Sequence, residues 1–433
     1  MQVVVESVSS LERRLKISVP ASRVDQSVEK RLNQTARTVK MDGFRPGKVP
    51  MSLIRKRFGA GIRAEALEDV IRDSYVEAIE SEKLRVAGFP TIEPFNAGEG
   101  QDLVYSAVVE VYPEITLNDF TGLTIERPVS EVTDADVEEM ILNLRRQRAS
   151  WNDSDEAAAE QDRVTIDFEG TVDGEPFAGN SAQDFNLVLG SNRMIPGFEE
   201  QIVGMKAGEE KTIDVTFPAD YQADNLAGKA AKFRINVKKV SKPQLPELDA
   251  AFLEHFGVKD GDAEKFRTDV RKNMQRELRN GVRARVKAAA FDAVLSANPV
   301  DTPKALVQQE IGRQREQAVR QFGGNAANIK PEMLPDELFA EAAGRAVALG
   351  LLISEIIAKH ELTVDAARVR TLVDEIAEAY ENPAEVVQWY YGNKEHLGNI
   401  EGSVLEDQVV DLILGKATVT DKPVSYTELL KQR

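Results

Sequence analysis

The chain has 433 residues, 42% of them hydrophobic, with 55 cations against 72 acids and a net charge of −17. That length accommodates about three domains, and the acidic balance excludes general nucleic-acid binding by the whole molecule, DNA included. There is no cysteine, and the three histidines, His255, His360 and His396, are far apart. Disulfides, thiolate chemistry and Cys-ligated zinc are therefore excluded, and neither a metal site nor another cofactor is expected.

Met1 to Pro20 has no basic start leading into an apolar core and a small-residue cleavage site. No run of about 20 apolar residues follows anywhere, so no membrane span is expected. A cytoplasmic protein is the simplest reading. Val3 to Val8 and Leu15 to Val19 read as strands. A helix follows, with Ser22 and Asp25 spaced as a capping box and Val24, Val28 and Leu32 on one face. Pro50 suits the first turn of the next helix. Leu53, Ile54 and Phe58 lead to an expected break at Gly59-Ala60-Gly61, and a longer helix carries Leu67, Val70, Ile71, Tyr75 and Ile79. Gly88-Phe89-Pro90 is expected to end it, and Val104 to Val111 reads as a returning strand. Residues 1–112 thus make a small α+β domain.

Between the two helices lies Gly43-Phe44-Arg45-Pro46-Gly47-Lys48-Val49-Pro50, a turn built from glycine and proline. It reads as the tip of a helical hairpin presenting Phe44, Arg45 and Lys48 to solvent. From Lys30 to Arg63 there are ten cations and one acid, Asp42, a local reversal of the chain's overall charge. Through residue 112 the cations number 17 and the acids 16, which leaves −18 on the remainder. The bland alternative is a solvated loop whose charges aid solubility. Against it stands an exposed phenylalanine flanked by cations, able to stack and to pair with a polyanion such as RNA.

This octet resembles the ribosome-binding signature of the bacterial trigger factor family, matched by Gly43, Phe44, Arg45, Gly47, Lys48 and Pro50. The resemblance implies docking on the large ribosomal subunit beside the nascent-chain exit. Many members carry Lys where this chain has Pro46, so one cation of that signature is missing.

Pro113 to Pro128 reads as irregular, with a turn at Asp119 to Gly122. Thr133 and Asp136 cap a helix bearing Val137, Ile141, Leu144 and Arg148 and running to Trp151. Residues 113–151 are expected to be a linker with a helix packing on the C-terminal body. Asp153 to Glu160 reads as a linker or frayed end.

Residues 162–241 change period. Val164, Ile166 and Phe168 alternate, as do Phe185, Leu187 and Leu189, then Ile213, Val215 and Phe217, then Phe233, Ile235 and Val237. Asp173-Gly174 signals a hairpin turn, and Pro196-Gly197-Phe198 is expected to open a short helix through Ile202. The order of Ile166 to Gly170, Leu189-Gly190, Met194 to Glu199, Gly208-Glu209 and Phe217 to Tyr221 resembles the FKBP-type prolyl isomerase fold. An X-Pro bond must cross a barrier of ~18–20 kcal/mol. Twisting the amide reduces its charge separation, so a dry apolar site favours the twisted state without nucleophile or metal. The resemblance implies a pocket of Phe168, Phe177, Phe185, Ile195, Phe198, Tyr221 and Phe233. It makes Phe198 the floor and gives the Tyr221 hydroxyl and the Ile195 N–H as donors to substrate carbonyls. Many small members carry Asp where this chain has Ala178. The alternative is that these aromatics are only core.

Lys242 to Pro246 reads as a hinge. Beyond it, helix patterns cover roughly 263–296, 304–322, 335–360, 365–381 and 403–416, with breaks that include Asn382-Pro383 and Gly398. The expected architecture is multidomain α+β: a ribosome-binding domain over 1–112, the linker segment, an isomerase domain of antiparallel sheet and one short helix over 152–243, and an all-α chaperone domain over 244–433. That order resembles the trigger factor family along nearly the whole chain, which implies unfolded or nascent polypeptides as partners. Self-pairing off the ribosome is left open. The competing readings are a stand-alone prolyl isomerase with flanking localisation domains and a plain RNA-binding protein.

Overall fold

The computed structural model describes every residue except 42–43, 45–47, 94–97, 99, 178, 222, 224, 322–329, 379, 381 and 432–433. The first elements are β1 (Gln2–Ser7), β2 (Glu12–Val19), α1 (Ala21–Thr38), α2 (Met51–Glu82), β3 (Thr91–Ile92) and β4 (Leu103–Glu110). Next come β5 (Thr124–Val129), α3 (Asp134–Gln147), β6 (Ser150–Ser154), β7 (Arg163–Val172), β8 (Ser181–Val188), β9 (Glu210–Thr216) and β10 (Ala230–Gln244). The rest is α4 (Ala250–Glu254), α5 (Ala263–Ala297), α6 (Lys304–Gln321), α7 (Glu337–Lys359), α8 (Ala366–Ala377), α9 (Pro383–Gly392), α10 (Lys394–Lys416), β11 (Thr418–Pro423) and α11 (Tyr426–Lys431). The chain forms two compact units, one of residues 1–127 with 284–421 and one of 128–283 with 422–433.

In the first unit the antiparallel sheet runs β1-β2-β4-β3. Its registers pair Val5 with Leu15, and Leu15, Ile17 and Val19 with Ala107, Tyr105 and Leu103. Those alternate positions form one apolar face, on which Val24 of α1 and Val70 and Ala78 of α2 pack. The Ser22–Asp25 capping box is not formed. Pro20 is the cap residue, with no side-chain bond, and the Ala21 N–H donates instead to the Asp102 carboxylate at 2.9 Å. Nor does α2 break at Gly59 and Gly61. Each glycine costs a helix only about 1 kcal/mol relative to alanine, and Ile54 and Ile62 hold α2 against Leu32 on either side of them. The helix ends at Glu82, before Gly88, with Lys83 in the left-handed region at φ 52°. Among the later helices, Val369 and Val373 of α8 pack on Ile400 and Val404 of α10. Helix α10 runs unbroken through Gly398, which meets open space.

In the second unit, α3 begins with the expected capping box, the Thr133 hydroxyl accepting from the Asp136 N–H and the Asp136 carboxylate from the Thr133 N–H. The helix stops at Gln147 rather than Trp151, because Ser150 to Ser154 pairs with the end of β10. The expected hinge at Lys242 is likewise strand through Gln244. Val137 and Ile141 of α3 pack with Phe252, Phe266, Val270 and Tyr426. The sheet runs β6-β10-β7-β8, with β9 also on β10, all antiparallel. Asp173 and Gly174 lie at φ 52° and 85°, both positive as a two-residue hairpin with right-handed twist requires.

Candidate functional site

Two regions hold the site residues anticipated in the sequence. At the α1–α2 tip, Phe44 is 39% exposed and Lys48 is exposed. The Phe44 N–H donates to the Met41 carbonyl at 3.1 Å. Beneath, Met41, Val49 and Met51 join Leu32 and Ile54 in a small core of the hairpin's own. Gly43, Arg45, Pro46 and Gly47 lie outside the described residues.

The basic count of the tip region is diluted by partners outside the counted stretch. Arg31 pairs with Asp69 and Glu65, and Arg55 with Glu29. Hydrogen bonding to Arg31 holds the Asp69 carboxyl below its ordinary value, and the same bond raises the Arg31 guanidinium. These two cations brace α1 on α2, whereas Lys48 sits exposed at the end of the hairpin.

The second region is the apolar face of the second unit's sheet. Alternation puts Ile166 and Phe168 of β7 on the same side as Phe233 and Ile235 of β10, which pair with Gly170 and Phe168. On β8 a bulge between the Ile166–Phe185 and Phe168–Ala182 pairs brings Phe185 to the same side. The rings meet edge to face. Phe168 lies 5.8 Å from both Phe185 and Phe198, and Phe233 lies 5.3 Å from Phe198 and 6.1 Å from Phe177. Phe217, which the sequence reading placed on a strand and at the start of a matching motif but not in the pocket, stands 5.7 Å from Phe177 and 4.8 Å from Tyr221.

Depth sorts these residues. Phe198 is 0% and Phe233 5% exposed, so they form the base and are core as well as lining. Phe168, Phe177, Phe185 and Ile195 are half-buried, and Tyr221 is 36% exposed at the edge. All seven residues expected in the pocket thus lie in or against one aromatic bowl. Neither the Tyr221 hydroxyl nor the Ile195 N–H has a hydrogen-bond partner among the described residues. Both donors are available to a ligand carbonyl.

The expected short helix at 196–202 is a run of three-residue turns. Phe198 N–H bonds the Ile195 carbonyl, Ile202 the Glu199 carbonyl and Met205 the Ile202 carbonyl, each reaching back three residues. Gly197 at φ 85° interrupts any regular helix. The Gln201 amide ties the run down, donating to the carbonyls of Gly197 and of Asp214 on β9.

Two residues of this site carried no role in the sequence reading. Gly170 lies directly under Phe233, and a Cβ there would come within 2.4 Å of the ring. A glycine inside a strand is the available signal, since it marks close approach. Glu199, 7% exposed, turns its carboxylate into the 191–194 loop. No sequence spacing announces that burial.

Aromatic rings gathered on one face of a small antiparallel sheet, with two donors left unpaired among the described residues, fit a peptidyl-prolyl cis-trans isomerase of the FKBP type. Residues 154–238 match the family described as FKBP-type peptidyl-prolyl cis-trans isomerase. Residues 1–144 match bacterial trigger factor protein, and 262–415 its C-terminus. A trigger factor of Acinetobacter baumannii (strain ATCC 17978) is 54% identical over 100% of this chain and 99% of its own. One of Pseudomonas fluorescens (strain Pf0-1) is 52% identical over 100% and 98%. A solved structure from work on promiscuous substrate recognition in folding and assembly activities of the trigger factor chaperone covers 96% of this chain and 99% of its own, at 17% identity and a TM-score of 0.47. The chain belongs to the trigger factor family: it is a chaperone with an FKBP-type isomerase module.

Proposed function

We propose that this chaperone docks on the large ribosomal subunit beside the nascent-chain exit through residues 43–48, in the cytoplasm. It receives emerging polypeptides, keeps them open and isomerises their X-Pro bonds. In this reading Gly43 and Gly47 belong to the docking segment, Phe44 stacks, and Arg45 and Lys48 meet phosphates. The domain division follows residues 1–112, 113–151, 152–243 and 244–433. Phe198 and Phe233 floor the bowl, and Phe168, Phe177 and Phe185 wall it. The Tyr221 hydroxyl and the Ile195 N–H take substrate carbonyls. A dry aromatic cavity lowers the barrier because the twisted amide carries less separated charge than the planar one. Scattered apolar stripes in the helical region suit a client-tolerant binder, and its acidity keeps the free chain soluble.

The observation that supports docking is the exposed Phe44, hydrogen-bonded to Met41 and adjoining the hairpin's small core, with Lys48 exposed in the same connection between α1 and α2. An aromatic ring so held in water, in a connection that also exposes a cation, is suited to stacking on and pairing with a polyanion. The test is cosedimentation with ribosomes of the wild type and of a combined Phe44→Ala, Arg45→Ala, Lys48→Ala variant. The wild type pellets and the variant stays in the supernatant. Equal pelleting overturns the docking assignment.

A further inference from the structure

We propose that Glu199 is a positioning residue for isomerisation, holding the loop 191–195 so that the Ile195 N–H faces a substrate carbonyl. The proposal rests on the reading that Ile195 donates to substrate. Glu199 sits immediately after the floor residue Phe198 and is buried beside it. Its Oε1 accepts from the N–H of Arg193 at 2.8 Å, the N–H of Met194 at 3.2 Å and the Ser191 hydroxyl at 3.3 Å. Its Oε2 accepts from the N–H of Asn192 at 3.1 Å. Three successive backbone donors therefore converge on one carboxylate. Among the described residues no cation pairs with it, so these dipoles alone face its charge.

The consequence falls on the next residue. With the N–H groups of 192, 193 and 194 turned to Glu199, Ile195 carries the first N–H of the run that is left without a partner among the described residues. The Ile195 carbonyl is fixed as well, accepting from the Phe198 N–H at 3.1 Å. The peptide plane that aims the free N–H is thus clamped on both sides by residues 198 and 199. Asn192 helps close the curl, adopting φ 54°.

A donor to a carbonyl outside the rotating bond binds the planar and twisted substrate equally. Its loss raises KM and leaves kcat in place. A merely structural role for Glu199 would act the other way, lowering the active fraction and so the apparent kcat at constant KM. The experiment uses the full chain, labelled with ¹⁵N-isoleucine, and a short prolyl peptide as probe. Glu199→Gln keeps one acceptor oxygen but turns an NH₂ toward the backbone donors, and Glu199→Ala removes the acceptor altogether. Both are expected to raise KM by about three- to tenfold, the worth of one hydrogen bond, with kcat within about twofold. The Ile195 amide resonance shifts on adding peptide to wild type and shifts less in the variants. Unchanged KM in folded variants, with the wild-type resonance still shifting, overturns the positioning role and leaves the Ile195 reading intact. A wild-type Ile195 resonance that ignores peptide overturns that reading, and the proposal with it. If Glu199→Ala unfolds the module, Glu199→Gln alone decides between these outcomes.

Discussion

Replacing Gly170 by alanine tests whether the bowl is as tightly built as its ring distances imply. The new Cβ would stand 2.4 Å from Cε1 of Phe233 and 2.8 Å from its Cδ1 and Cζ. Carbon atoms pack at about 3.5–4.0 Å, so the ring must retreat by about 1 Å. Retreat is obstructed by Phe198 at 5.3 Å and by Phe168 and Phe177 at 6.1 Å. Overpacking of this kind costs about 1–3 kcal/mol. With a urea slope of about 1–3 kcal/mol/M, the unfolding midpoint of the module falls on the order of 1 M. Trp151 reports that unfolding, since it pairs with Pro243 and lies 4.8 Å under the Arg163 guanidinium. The chain's other tryptophan, Trp389, is replaced by Phe in all samples. Because the displaced ring also reshapes the floor, kcat/KM for a prolyl peptide falls about tenfold, or 1.4 kcal/mol of transition-state binding. In a Phe233→Leu background the offending ring is absent, and the Gly170→Ala penalty shrinks. An unchanged midpoint and rate, or an equal penalty in both backgrounds, refutes the packing argument.

Two further predictions concern the hairpin. Gly59→Ala and Gly61→Ala meet open space inside a continuous helix, so together they strengthen α2 by about 1 kcal/mol each, read as slower amide exchange; unchanged or faster exchange contradicts this. Arg31→Met removes the partner that depresses the Asp69 carboxyl. A depressed folded-state pKa gives stability that is full at neutral pH and is lost as pH falls through the folded value, so the wild-type advantage in α1 exchange protection narrows below about pH 4. A gap that stays constant from neutral pH down to about pH 3 contradicts the pairing.

Much of the fold was legible because alternation is a strong signal where one sheet face is buried. Leu15, Ile17 and Val19, and again Phe233, Ile235 and Val237, announce both their strand and its inner face. Alternation placed Phe168, Phe185 and Phe233 on strands, but the pocket as a set was legible only through the family resemblance, since Phe177, Ile195, Phe198 and Tyr221 lie outside the strands. What failed were local rules overridden from a distance. Ser22 lost its cap to Asp102, a residue far along the chain that no helix-start pattern includes. Gly59 and Gly61 were too weak as breakers against the packing of Ile54 and Ile62. Trp151 was assigned to a helix because its pairing with Pro243 on β10 leaves no trace in local composition. The basic count around the tip overstated the free charge, as Glu29, Glu65 and Asp69 lie just beyond the counted stretch. The carboxylate of Glu199 was invisible because its burial is a product of the loop that it organises.

The most direct test of the account replaces Phe44 with the photo-crosslinker benzoylphenylalanine, which keeps an aromatic ring at the exposed tip. Irradiation with purified ribosomes is expected to join the chain to components of the large subunit, and excess unlabelled wild type is expected to suppress the product. Efficient labelling with no ribosomal adduct, or adducts that wild type does not compete away, would contradict docking through this tip.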